Sequence, residues 1–388
     1  MSFKKHHRLF LWLAASLLML AAFQINAIHP DRPDRVTPNQ ADSTKITADS
    51  LRLPDSLIEA TASRLQHFFE KQYRLRRFNG TVLFAQNNRV IYKGAFGYSH
   101  FRKKIPLTTH SSFQLASVSK PITAYAILLL AQRHQLNLDD DLKKYFPEFP
   151  YDDITIRLLL THRSGMPNYM YFAEEYWPSR RIPISNDDVL EMLIKHKPPH
   201  YYIPNYRYNY CNTNYALLAS IIERVSGLPY DVFMKKEIFD PLNMNDTQIY
   251  YKSRNVKLAN DVYGYNKRGR IAEDTYLNGV VGDKGIYSSV EDLFKFDQAI
   301  NNGFPVTREW LEKAFTPAHR DLRIWDNYGL GWRIDASDPQ NKVVYHSGWW
   351  KGFRTYYIKK LGEKKTIIVL TNHIRRSYLS NRLLRNLF

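Results

Sequence analysis

The chain has 388 residues, of which 44% are hydrophobic and 24% charged, so it holds one large domain or two smaller ones and is neither wholly disordered nor a multi-span membrane protein. Lys and Arg number 55 against 37 Asp and Glu, a net +18, and the single cysteine, Cys211, excludes an intrachain disulfide while suiting an oxidising compartment. The surplus is uneven: positions 341–388 carry eleven Lys or Arg and one Glu, which reads as a solvated basic face or as a surface that meets an anionic cell envelope. No zinc-finger spacing or RNP-like motif accompanies it, so nucleic acid is not an expected partner.

In chain order, Lys4, Lys5, His6, His7 and Arg8 precede the apolar run LFLWLAASLLMLAAF at 9–23. A positive start, a short apolar core and small residues by Ala27 predict that residues 1–28 are an export signal peptide or an N-terminal membrane anchor. The expected location is therefore extracytoplasmic or periplasmic, released or tethered by residues 9–28. Residues 29–55, rich in Pro, Asp, Thr and Ser, predict a disordered linker before a domain at 56–388. Leu57, Ile58, Leu65, Phe68, Phe69 and Tyr73 recur at helical spacing and predict the first helix. GTVLFAQNNRVIYKGAFGY at 80–98 predicts a hairpin around Asn87-Asn88. Positions 121–282 read as mostly helical, with helices at Ile122–Gln135, at Ile156–Leu160 running on to a stop at Ser164-Gly165, and at Tyr215–Val225 ending at Gly227. A helix follows near Val290–Asn301, then strands at Val343–His346, Phe353–Lys360 and Thr366–Asn372, and a terminal helix at Ser377–Phe388. Strands at both ends with helices between them predict an α+β fold. Its antiparallel sheet is formed from both chain ends, flanked by helices, with a mostly helical inserted region.

Three stretches carry chemistry. In QLASVSKPITAY, Ser117 and Lys120 lie three apart and share a helix face, and Pro121 suits the first helical turn. A serine hydroxyl attacks once a base takes its proton, and a lysine serves as that base when its own proton is loosened by burial or a neighbouring cation. Alone, the pattern equally describes a serine cap and a surface lysine. In YNYCNTNY, Tyr210 and Asn212 point the same way on an extended loop; a phenol beside a cation can pass protons as phenolate, and an amide can hold a substrate carbonyl or the lysine. Asn212 or Asn214 is equally a helix cap. In YHSGWWKGF, read as the end of one strand and the start of the next, Gly348 permits close backbone approach and His346 can bind or protonate a ligand. His162 reads as a structural hydrogen-bonder, Cys211 as a packed small residue, and Met166, Tyr169 and Met170 as loop packing.

Together, Ser117-Val118-Ser119-Lys120, Tyr210-Cys211-Asn212 and His346-Ser347-Gly348 resemble, in order and separation, the three motifs of serine β-lactamases and penicillin-binding proteins. The chain is most similar to the class C β-lactamase and D-alanyl-D-alanine carboxypeptidase branch, and LLLTHRSGMPNY and GDKGIYSSVEDL look familiar as well. The resemblance spans about Leu57 to Asn372 and implies a β-lactamase/transpeptidase-like fold. It implies Ser117 as acylated nucleophile, Lys120 and Tyr210 as proton carriers, and Asn212, His346, Ser347 and Gly348 as substrate-binding residues. The backbone N–H groups of Ser117 and Trp349 would form the oxyanion hole, with no metal and no cofactor. His346 departs from the lysine usual in β-lactamases; D-amino-acid-specific peptidases and esterases of the family also depart there, and Lys351 or Arg354 is left to supply a cation. The expectation is an exported serine hydrolase acting through an acyl-enzyme on small-molecule or peptide substrates, in the order peptide or D-amino-acid amides, esters, β-lactams. The alternative is a catalytically silent penicillin-binding-like protein that binds a ligand or partner of the cell envelope.

Overall fold

The computed structural model describes residues 54–251, 262–373 and 379–387. The expected signal or anchor at 1–28 and nearly all of the linker lie outside these residues, as do parts of the expected terminal helix. Helix α1, Asp55–Arg74, buries Leu65 and Phe69, one turn apart, and ends with Lys71 and Arg74 at the negative end of its dipole. Strands β1, Gly80–Gln86, and β2, Arg89–Phe96, turn through Asn87 and Asn88. Both asparagines have positive φ, 52° and 61°, as a two-residue type I′ turn demands and Asn tolerates.

Five later strands complete the sheet: β3 Asn327–Tyr328, β4 Arg333–Asp335, β5 Val343–Trp350, β6 Phe353–Lys360 and β7 Lys365–Thr371. Their order is β2-β1-β7-β6-β5-β4-β3. Strand β1 pairs antiparallel with β7 from Gly80 opposite Thr371 to Gln86 opposite Lys365, so the two ends of the domain close one sheet. One expectation is corrected here. HSGWW is not a turn: β5 runs through it to Trp350, and the reversal comes at Lys351-Gly352, with φ 43° and 88°.

Side chains alternate across the sheet with period two. Val82, Phe84, Tyr345, Tyr356, Ile358, Ile367 and Val369 pack in the layer of α1 and Leu384, while Leu83, Ala85, Val344, Tyr357, Ile368 and Leu370 join the larger core of the helical insert. That insert contains α2 Ser119–Gln132, α3 Ile156–Leu160, α4 Tyr169–Tyr176, α5 Asn186–His196, α6 Asn212–Ser226 and α7 Tyr230–Met234. Helix α2 begins and ends three residues before its expected bounds. It is buried from Ser119 to Ala131, which its unbroken apolar run permits. Helix α3 stops at Leu160 rather than at Ser164-Gly165, and α6 starts at Asn212 and stops at Gly227, where φ is 68°. Helices α8 Val290–Asn302 and α9 Arg308–Ala314 follow the insert, and the terminal helix is reduced to α10, Asn381–Arg385.

Part of the basic C-terminal stretch is paired within the fold. Lys359 is buried with its amine 2.9 Å from Asp297, Lys360 stands 3.6 Å from Glu363, and Lys365 pairs with the same Glu363. No helix among the described residues is long and apolar enough to cross a membrane.

Candidate active site

Ser117 sits in a single 3-10 turn, Ala116–Val118, directly before α2. Ala116 has φ 49°, a left-handed conformation that a non-glycine residue adopts only where its surroundings enforce it. Lys120, in the first turn of α2, is fully buried. Its Nζ has three acceptors: Ser117 Oγ at 3.3 Å, Asn212 Oδ1 at 2.8 Å and the Asp283 carbonyl at 2.9 Å. Burial is the main cause that pulls its pKa down to about 8, against the opposing pull of Asp283 and with the help of Arg333.

Tyr210 and Asn212 come from the segment that opens α6. Cys211 holds the cap position without a side-chain cap bond, so Asn212 is the first helical residue rather than a cap. Asn212 Oδ1 accepts from Lys120 and its Nδ2 donates to Met170 Sδ at 3.0 Å. The Tyr210 ring lies 5.0 Å from Lys120 Nζ. Burial pushes its phenol pKa well up, more than its hydrogen bond with Ser117 and the nearby Arg333 lower it. The resting side chain is therefore a neutral phenol, and the expectation of a phenolate stabilised by a cation is corrected: desolvation outweighs the cation. His162 Nδ1 accepts from the Cys211 N–H and from Asn214 Nδ2, both at 3.2 Å, and so ties the turn after α3 to the start of α6. Cys211 is buried, which raises its thiol to about 11.

Strand β5 forms the opposite wall. An added Cβ on Gly348 would stand 2.2 Å from the Leu115 carbonyl and 2.9 Å from the Ser117 nitrogen, so the nucleophile's backbone lies directly against this glycine. Trp349, next along the strand, is 61% exposed. His346 faces the same side as Gly348 but is committed internally. Its Nδ1 lies 3.0 Å from the Ser347 carbonyl, which requires Nδ1–H, and its Nε2 then accepts from Tyr328 Oη at 3.1 Å. Burial, with Arg333 and Lys120 nearby, holds its pKa well below the usual histidine value. The ring is thus a neutral structural group, and the expectation that it binds or protonates a ligand is corrected. Ser347 points to the other face, where its Oγ accepts from Asn381 Nδ2 at 3.3 Å, so only its main chain can line the cleft.

The cation beside the third motif is Arg333 on β4. Its guanidinium lies 5.7 Å from the Tyr210 ring centre, and the nearest carboxylate is Asp326 at 3.7 Å, itself mostly exposed. Arg354, considered for this role, lies on the opposite face, beside Tyr356. Behind Lys120, Asp283 and Lys284 form a buried pair that Tyr169 contacts through its hydroxyl. Among the described residues no group of three or more His, Cys, Asp or Glu side chains is placed to hold a metal ion.

A family model described as Beta-lactamase matches residues 60–382. The chain belongs to the beta-lactamase family of serine hydrolases. It is 37% identical over 321 residues to Penicillin-binding protein 4* of Bacillus subtilis (strain 168), covering 79% of this chain and 71% of that protein. It is 30% identical to the Putative penicillin-binding protein PbpX of the same organism, over 77% of this chain and 72% of the relative. The fold is shared with a penicillin-binding protein from Bacillus halodurans (TM-score 0.72, 23% identity, 83% of this chain and 98% of that one). It is also shared with the D-amino acid amidase from Ochrobactrum anthropi SV3 (TM-score 0.64, 20% identity, 84% and 94%).

Within this beta-lactamase fold, Ser117, Lys120, Tyr210 and Asn212 meet, Gly348 lies against the Ser117 backbone and Trp349 follows it along β5, whereas the side chains of His346 and Ser347 are engaged elsewhere. Sequence reasoning missed Arg333, Asp283 and Lys284, and assigned Tyr169 and Met170 to loop packing when both bond to site residues. The GDKG stretch signalled the pair, since a charged dipeptide between two glycines seldom sits in an apolar segment without a partner.

Proposed function

We propose that this protein is an exported serine hydrolase that forms an acyl-enzyme on Ser117, acting on peptide or D-amino-acid amides ahead of esters and β-lactams. The observation that carries this reading is the Lys120 amine, fully buried, loosened to a pKa of about 8 and 3.3 Å from Ser117 Oγ. When Lys120 loses a proton, its two remaining N–H groups keep Asn212 and the Asp283 carbonyl, and its lone pair faces the Ser117 hydroxyl. Ser117 Oγ then passes its proton to Lys120 and bonds the substrate carbonyl carbon. The oxyanion is met by the backbone N–H groups of Ser117 and Trp349, donors of a kind each worth ~3 kcal/mol of barrier. The leaving amine takes its proton from Lys120 or the Tyr210 phenol, and water returned along the same groups frees the acyl group. Arg333, whose carboxylate partner among the described residues, Asp326 at 3.7 Å, is mostly exposed, takes the place of the lysine usual in the third motif and receives a substrate carboxylate.

The test is labelling with a fluorophosphonate and with a fluorescent penicillin, wild type against Ser117→Ala. An adduct on the wild type alone is expected, and no adduct with either probe sinks the reading in favour of a silent binding protein. A panel of D-Ala-D-Ala peptides, short esters and nitrocefin then ranks substrates. Arg333→Met is expected to raise KM for the carboxylate-bearing peptides by about tenfold and to leave neutral esters unchanged. Mass spectrometry of the exported protein checks for loss of residues 1–28.

A further inference from the structure

Behind Lys120 lies a second fully buried lysine that the acylation chemistry does not use. Lys284 is 3% exposed. Its Nζ stands 3.4 Å from Asp283 Oδ1, donates to the Val280 carbonyl at 3.2 Å and touches the Tyr169 hydroxyl. It also lies 5.4 Å from the ring centre of Trp350, at the end of β5. Asp283 is 1% exposed and faces both lysines: its carbonyl accepts from Lys120 at 2.9 Å, while its carboxylate faces Lys284 and accepts from Tyr169 Oη at 3.1 Å.

We propose that Asp283 and Lys284 act as a positioning pair that sets the charge of Lys120, Asp283 favouring its ammonium form and Lys284 offsetting that preference so that the free amine is within reach. The proposal rests on Lys120 being the base of the hydrolase proposed above. A buried carboxylate alone, on the same residue whose carbonyl Lys120 contacts, would hold the ammonium firmly. The coulombic influences agree in sign: Asp283 raises Lys120, and Lys120 lowers Lys284. The other groups facing Lys120 are Tyr210, Cys211 and Tyr215 at the start of α6, His162 after α3, His346 on β5 and Arg333 on β4. Burial holds the phenols and thiol protonated and the two imidazoles neutral, so the charges left are Asp283, Lys284 and Arg333. The first two can be removed singly without touching the third.

The experiment titrates Lys120 directly, by NMR of the full-length protein labelled at lysine 13Cε, with the resonance assigned through Lys120→Met. Lys284→Met is expected to raise the Lys120 midpoint by about one pH unit and Asp283→Asn to lower it by about as much. The double variant should return close to the wild type. The pH limb of fluorophosphonate labelling should move in step. Singles that shift in the same direction, or that leave the midpoint unmoved, overturn the proposal. If neither single variant folds, the wild-type titration decides. Coupled buried groups titrate together, so a second inflection in the Lys120 resonance is expected as Lys284 loses its proton, and a single inflection is the contrary result. A wild type that shows the coupling but never labels refutes the hydrolase reading and not this one.

Discussion

Lys120 meets three acceptors with its three N–H bonds and is shut off from water, so the protein stabilises the ammonium by hydrogen bonding and destabilises it by desolvation. With a pKa of about 8, roughly a tenth of the side chain is free amine at pH 7. The acylation rate follows that fraction: it should rise about tenfold from pH 6 to pH 7 and flatten above about pH 9. Single-turnover labelling across this range checks it, and a flat profile between pH 6 and 8 would remove Lys120 from the role of base. Ser117 and Lys120 were legible in the sequence because their meeting is local, between two residues three positions apart at the start of α2. Arg333 was not, because it reaches Tyr210 from another strand of the sheet and nothing in its local sequence sets it apart. His346 was misread for a related reason. A histidine in a motif looks available, and only the fold brings Tyr328 Oη to its Nε2 and so uses up the ring.

Among the elements, β5 and the Ser117 turn are joined more tightly than side chains allow. Gly348 lets the strand lie against Leu115 and Ser117, and Thr355 Oγ1 on β6 donates to the Leu115 carbonyl at 2.6 Å. Gly348→Ala must push these apart, since its methyl would stand 2.2 Å from that carbonyl and 2.5 Å from Thr355 Oγ1. Overpacking of this kind costs about 1–3 kcal/mol. The displaced atoms include one proposed oxyanion donor, so labelling should fall by more than a hundredfold, as loss of such a donor does. A variant that melts lower yet labels at the wild-type rate would show that this contact serves stability alone. The sequence pointed to the close approach through the glycine but placed a turn there, because Gly beside two Trp and a Lys reads as a strand end. The strand continues to Trp350 because β6 pairs with it residue by residue, from Val343 opposite Lys360 to Trp350 opposite Phe353.

Across the whole molecule, the sheet is assembled from the two ends of the domain and the insert packs on one face of it, so the fold depends on contacts between distant segments. Their strands were readable as apolar runs but their layers were not: Val82–Ala85 and Tyr356–Ile358 are apolar throughout because both faces are covered, Val82, Phe84, Tyr356 and Ile358 in the α1 layer and Leu83, Ala85 and Tyr357 against the insert. Charge was not readable, and the basic tail shows why. Lys359 looked like one of many surface cations, yet it lies between sheet and helix α8, 2.9 Å from Asp297. The same carboxylate oxygen accepts from Tyr357 Oη at 2.8 Å and Thr366 Oγ1 at 2.9 Å. Both partners of the ion pair are 2% exposed or less, so removing one leaves the other charge without compensation in an apolar layer. Lys359→Met should therefore cost about 3–5 kcal/mol, a fall in Tm of roughly 5 °C for a domain of this size, with Ser117 labelling at 25 °C unchanged. Lys359→Met with Asp297→Leu replaces the pair by apolar groups and should recover most of the loss, since desolvation offsets much of what a buried pair contributes. Thermal melts of the two variants decide it: a single variant as stable as the wild type would mean that Asp297 is held by the tyrosine and threonine alone.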